Sequence, residues 1–218
     1  MIDLPIYNAE GKQVDVLKID ETLLGGEVRH ALLKQAYVVT HGNQRQGSAR
    51  TKSRGSVHGS TRKLYKQKGT GNARVGAARV PNRKGGGVTF AKTRTREDFR
   101  TALTKKMRRL ANRNALLAKL VDNEVKCIDT LSFKEPATKA MATLLQKVGV
   151  DRTALVAVAP DNRNAMLSAR NICGVGVRRI EQLNAFDLLN HRYLVVDKSS
   201  LQSFLDGSCF PATEEAAA

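Results

Sequence analysis

The chain has 218 residues, 37 Lys and Arg against 20 Asp and Glu, and a formal charge of +17 with a pI near 10.2. That length allows one compact domain with a large insertion, or two small domains. Three scattered cysteines, Cys127, Cys173 and Cys209, exclude a disulfide framework and read as buried thiols in a reducing compartment. No run approaches the roughly 18 apolar residues of a membrane span, and the Met1–Pro5 start lacks a signal-peptide pattern, so the expected compartment is the cytosol.

In chain order, residues 4–7 and 14–17 read as short strands around a turn at residues 8–11. A helix is expected over 27–40, with Val28, Ala31, Leu32, Ala36 and Val39 on one face. Residues 42–96 then break every pattern. They contain 15 Lys and Arg, no Asp or Glu, and 10 of the 17 glycines. Only 22 of the 37 cations remain elsewhere, against all 20 acids, so the rest of the chain is nearly neutral. A segment this polar cannot bury enough apolar surface to offset its ordering entropy. It reads as a long extended arm that needs a polyanion to settle.

Beyond the arm, Asp98 is expected to cap a helix over 98–121 with Phe99, Leu103, Met107, Leu110, Leu117 and Val121 as its apolar stripe. Lys105, Lys106, Arg108, Arg109 and Arg113 crowd its other side, a solvated face or an RNA contact. The remainder alternates: strand 126–128, helix 136–148 with Ala140, Leu144 and Val148 inward, strand 153–159, helix 162–172, strand 177–182, helix 185–190, strand 193–196, and a last helix from Ser199 or Ser200 to Leu205. The fold class that follows is α/β, a mostly parallel sheet flanked by helices with a long basic loop inserted. Residues 1–41 and 97–209 form the expected body, 42–96 the loop, and 210–218 a disordered tail.

The densest motif is Gln67-Lys68-Gly69-Thr70-Gly71-Asn72-Ala73-Arg74. It lacks the GxxxxGK[ST] order of a mononucleotide cradle, because Lys68 precedes the glycines. A flexible tip that fits RNA closely, flanked by cations on phosphates, is the better reading. Gly174-Val175-Gly176 lacks the third glycine of a dinucleotide fingerprint and reads as a turn into a strand. His30, His41, His58 and His191 show no metal-ligand spacing, and no nucleophile stands beside a base. No catalytic residue, metal, cofactor or small-molecule substrate is expected. Tyr65 is placed to stack on an unpaired base; Phe90 is expected to anchor the base of the arm.

The order Arg45-Gln46-Gly47, Lys52-x-Arg54-Gly55, Tyr65 through Arg74, and Gly85-Gly86-Gly87-Val88-x-Phe90 closely resembles the bacterial large-subunit ribosomal protein L-four family. The helix segment Lys105-Lys106-Met107-Arg108-Arg109-Leu110 is similar as well. The likeness covers about residues 2–208 and is strongest over 45–120. It implies an α/β body on the subunit surface and a loop threading 23S-type rRNA to the peptide exit tunnel, beside protein L-twenty-two. Gln67, Lys68, Gly69, Thr70 and Gly71 would then face the tunnel. The rRNA-binding residues would be Arg45, Arg50, Lys52, Arg54, Arg62, Lys63, Tyr65, Lys66, Lys68, Arg74, Arg79, Arg83, Lys84, Lys92 and Arg94. Tyr65 stands where the family usually has Trp, Leu64 where Pro is common, and Asn72 where Arg is common. The rival readings are a nucleic-acid-processing enzyme, which would need Mg²⁺-holding acids at strand ends, and a messenger-RNA-binding regulator.

Overall fold

The computed structural model describes residues 1–92 and 100–209. The chain forms two units, one of residues 1–40 and the chain from Leu103 onward, the other of residues 41–102.

The first unit is a six-stranded sheet in the order β2-β1-β3-β6-β4-β5. Its strands are β1 (Ile2–Tyr7), β2 (Gln13–Ile19), β3 (Val125–Ile128), β4 (Ala154–Val158), β5 (Val175–Arg179) and β6 (Tyr193–Asp197). β1 and β2 pair antiparallel, Ile2 opposite Ile19, through a tight turn. Every other pairing is parallel, with Ile6 beside Cys127, Val125 beside Leu194, and Ala154 beside both Tyr193 and Val175. Parallel neighbours need crossovers, and helices supply them: α1 (His30–Asn43) and α2 (Lys105–Val121) before β3, α3 (Thr138–Lys147) before β4, α4 (Arg163–Ala169) before β5 and α5 (Ala185–Asn190) before β6, while α6 (Lys198–Asp206) follows the last strand.

β4 shows why the apolar run over 153–159 is a strand. Its five residues are all buried, because helices cover both faces of the sheet. Side chains alternate: Leu155 and Ala157 join α1, α2, α5 and α6 residues in one core, while Ala154, Val156 and Val158 pack with Met141, Leu144 and Leu145 of α3 and Ala165 of α4 in the other. Truncating a fully buried residue such as Leu116 to Ala would cost about 2–5 kcal/mol.

The elements stand where expected, but several helical faces are rotated. In α1 the buried residues are Leu33 and Ala36, and Ala31 is exposed. α2 starts at Lys105 with Thr104 as its cap, the hydroxyl accepting from Met107 N at 3.4 Å; the expected cap Asp98 and stripe residue Phe99 lie outside the described residues. Its inward face is Ala111, Asn114, Ala115, Leu116, Leu117 and Leu120, whereas Val121 is 56% exposed. In α3 Met141 faces the core and Ala140 does not. β5 ends at Arg179, and the expected strand residues 180–182 form a 3-10 turn. α6 begins at Lys198, so neither Ser199 nor Ser200 is its cap; Asp197 holds that position. Of the three thiols only Cys127 is buried, and Cys173 is exposed.

Candidate nucleic-acid interface

The second unit is the basic arm. Between α1 and α2 the described residues hold no helix or strand, only the isolated antiparallel bridge of Lys63 with Ala77. It is nevertheless cross-linked at successive levels. At its base Asn43 Nδ2 donates to Thr101 O at 2.8 Å, and Thr101 N returns to Asn43 Oδ1 at 3.1 Å. Next, Thr51 N donates to Lys92 O at 3.0 Å and Lys92 N to Thr51 Oγ1 at 2.7 Å. Val88 N then donates to Lys52 O at 2.9 Å, and Leu64 N to Gly76 O at 3.1 Å further out. The outgoing and returning chains thus satisfy part of each other's backbone without forming a sheet.

Glycines make this possible for two different reasons. At Gly69 and Gly71, φ is +82° and +69°, and an added Cβ would meet nothing within 4 Å; the turn itself demands glycine. At Gly86 and Gly87 the reason is space. A Cβ on Gly86 would lie 2.0 Å from Val80 O, and one on Gly87 2.2 Å from Arg54 N. Gly87 is where the two chains cross backbone to backbone, while Gly86 packs on Val80 of its own limb.

The tip is closed by side chains. Tyr65 donates its hydroxyl to Ala73 O at 2.6 Å, and Lys63 Nζ donates to Gln67 Oε1 at 2.7 Å and Val75 O at 3.0 Å. Between these clamps Lys66, Lys68 and Arg74 are exposed, with Gln67, Gly69 and Gly71, while Thr70 is half-buried. Arg45, Arg50, Lys52, Arg54, Arg62, Arg83, Lys84 and Lys92 are exposed along the arm. Arg79 is half-buried, its Nη1 donating to Val57 O at 3.2 Å. Arg94 lies outside the described residues. Phe90 corrects one expectation. It is 98% exposed at φ +50°, so it anchors nothing; a left-handed non-glycine carrying a bare aromatic ring costs about 1–2 kcal/mol in backbone conformation alone.

The two units treat charge differently. In the first, ion pairs join Lys119 to Glu124 at 2.5 Å, Arg178 to Asp187 at 2.8 Å and Lys198 to Asp15 at 3.0 Å. The Lys198 hydrogen bond holds the Asp15 carboxyl below its ordinary value. Among the described residues, no arm cation has a carboxylate within ion-pair distance. Lys105, Lys106, Arg108, Arg109 and Arg113 of α2 are exposed and equally unpaired there. Close-spaced cations without counter-charges repel one another, and a polyanion relieves that repulsion.

Two titratable groups of the first unit are shifted mainly by burial. Burial pushes the Cys127 thiol up to about 12, with Asp197 adding to the effect, so the sulfur stays protonated. Burial likewise raises the Asp197 carboxyl, against the hydrogen bond from Ser199. Among the described residues no group of three or more His, Cys, Asp or Glu could hold a metal ion, and no helix is long and apolar enough to cross a membrane. Sequence reasoning missed Asn114, fully buried in α2, whose amide donates to Glu27 O at 2.5 Å and accepts from Arg29 N at 2.6 Å. A polar residue inside an apolar stripe was its only signal.

Known proteins are similar to this chain over most of its length. The family model described as the ribosomal protein L4/L1 family matches residues 17–206. The chain is 44% identical over 201 residues to the large ribosomal subunit protein uL4 of Dehalococcoides mccartyi strain CBDB1, spanning 92% of this chain and 95% of that protein. It is 38% identical over 215 residues to the protein of that name from Rhodopirellula baltica, spanning 98% and 96%. With the Moorella thermoacetica protein, also so named, identity is 39% over 196 residues, 90% and 94% of the two chains.

Proposed function

The chain belongs to the ribosomal protein L4/L1 family, a structural and not an enzymatic family, and from that premise we propose that its arm binds large-subunit rRNA. It is a constituent of the large ribosomal subunit, in the cytoplasm, where the arm threads between RNA helices that a globular surface cannot enter. The observation that carries the reading is the arm's charge: 15 cations over residues 42–96 with no acid among them, on a chain already cross-linked into an outgoing and a returning limb. Affinity comes from counterion release and shape, and the exposed α2 cations add a second contact.

The tip, Gln67 to Gly71, forms part of the exit-tunnel wall beside protein L-twenty-two, and the arm supports subunit assembly. Photocrosslinking tests this. A photoreactive residue at Lys68, in ribosomes stalled with a radiolabelled nascent chain, is expected to crosslink to that chain or to L-twenty-two. Crosslinks confined to other molecules would overturn the tunnel placement. A variant lacking residues 64–74 is expected to keep cooperative thermal unfolding while large-subunit assembly slows. Loss of that cooperativity would show that arm and body do not fold separately.

A further inference from the structure

Midway along the arm lies a cavity of about 500 Å³, lined chiefly by Ser53, Arg54, Thr61, Ala77, Arg79 and Val80. We propose that it receives one unpaired RNA nucleotide, extruded from its neighbours. The inference rests on the arm being an RNA-binding element and adds where and how a base is held.

The volume lies within the usual range of small-ligand sites, roughly 300–1,000 Å³. Its wall chemistry suits a base better than a bare phosphate. Ser53 and Thr61 offer hydroxyls that both donate and accept, Ala77 and Val80 give small apolar surface, and Arg54 and Arg79 bring two guanidinium groups. Arg79 is held in place: Nη1 is bonded to Val57 O at 3.2 Å, and its stem runs so close to Gly59 that a Cβ there would sit 3.2 Å from Arg79 Cγ. A fixed guanidinium plane is a stacking platform for an unstacked base, and a guanidinium has further N–H groups that can donate to a phosphate or a base edge. The glycine crossing fixes the walls, since Gly87 N donates to Arg79 O at 3.1 Å and Gly87 packs on the Ser53–Arg54 peptide. The recess is preformed, and the arm contains no carboxylate to fill it in place of RNA.

The test is Ala77→Phe, which fills the recess and leaves every charge in place. Full-length protein is titrated with large-subunit rRNA fragments carrying 4-thiouridine, across a salt series, followed by crosslinking and peptide mapping. Wild type is expected to crosslink one nucleotide to residues 53–61 or 77–80. In A77F that crosslink disappears and affinity falls about tenfold, with an unchanged salt slope, because stacking is lost and no phosphate contact is. Arg83→Ala, at an exposed cation outside the recess, is expected to do the reverse: the slope falls by about 1 and the crosslink stays. Wild-type affinity and crosslinking in A77F would overturn the nucleotide site while leaving the arm as an RNA binder. Failure of wild type to bind would overturn both. If A77F loosens the arm, seen as faster exchange of the Val88 amide, Thr61→Val decides: undiminished affinity in that variant overturns the site.

Discussion

Replacing Gly87 with Ala is the sharpest perturbation of the arm that changes no charge. The added Cβ would lie 2.2 Å from Arg54 N, 2.4 Å from Ser53 C and 2.5 Å from Arg54 Cα. All three are backbone atoms, so no rotamer change relieves the clash, and the crossing limbs must move apart. That separation removes the hydrogen bond between the limbs, Val88 N to Lys52 O at 2.9 Å. Its loss weakens the crossing by about 0.5–1.5 kcal/mol. Since 1.4 kcal/mol is tenfold, amide exchange at Val88 should accelerate by roughly 2- to 12-fold. Native-state hydrogen exchange reads this directly, and amides of β4 in the other unit serve as an internal reference. We expect their protection to be unchanged and rRNA affinity to fall with the crossing. Unaltered protection at Val88 would refute the close-packed crossing, and parallel loss at β4 would refute its local character.

Other perturbations follow from the same geometry. Asn114→Ala removes the buried amide that pairs with Glu27 O and Arg29 N and is expected to cost about 1–3 kcal/mol, measurable by urea unfolding. Tyr65→Phe keeps a stacking ring but removes the donor to Ala73 O, so tip amides should exchange about 2- to 10-fold faster while RNA-induced ring-proton shifts persist. Asp197 has a raised carboxyl pKa, so the native state holds its proton to higher pH than the unfolded chain does, and its contribution to stability falls as pH rises from the ordinary Asp value to the raised one. Thermal unfolding of Asp197→Asn beside wild type should therefore shift in the variant's favour as pH rises through that window; a constant gap contradicts the assignment.

How far the sequence could be read varied with the physics behind each feature. The α/β alternation was plain because burial on both faces leaves continuous apolar runs, as in β4. Strand order was not, since nothing in the local pattern places β6 between β3 and β4. Helical faces slipped where small or polar residues turn inward: Asn114 and Ala115 face the α2 core, and Val121 points to solvent. Within the arm, composition revealed the charge but not the cross-links. Lys63 and Tyr65 read as RNA ligands, and in the free chain both close the tip through bonds to residues 67, 73 and 75. Nor did composition reveal that Gly87 lies against the Ser53–Arg54 backbone of the outgoing limb. Phe90 read as an anchor because aromatic rings usually bury; at 98% exposure that expectation fails.

The most direct measurement is the salt dependence of rRNA binding for the full chain beside a variant lacking residues 46–87, which removes 11 Lys and Arg. Each phosphate neutralised contributes roughly 0.7 to 0.9 to the slope of log affinity against log salt. The full chain is expected to show a steep slope, most of it lost with the deletion. Specific binding that survives the deletion with its slope intact would contradict the arm's role and move the RNA site to the exposed cations of α2.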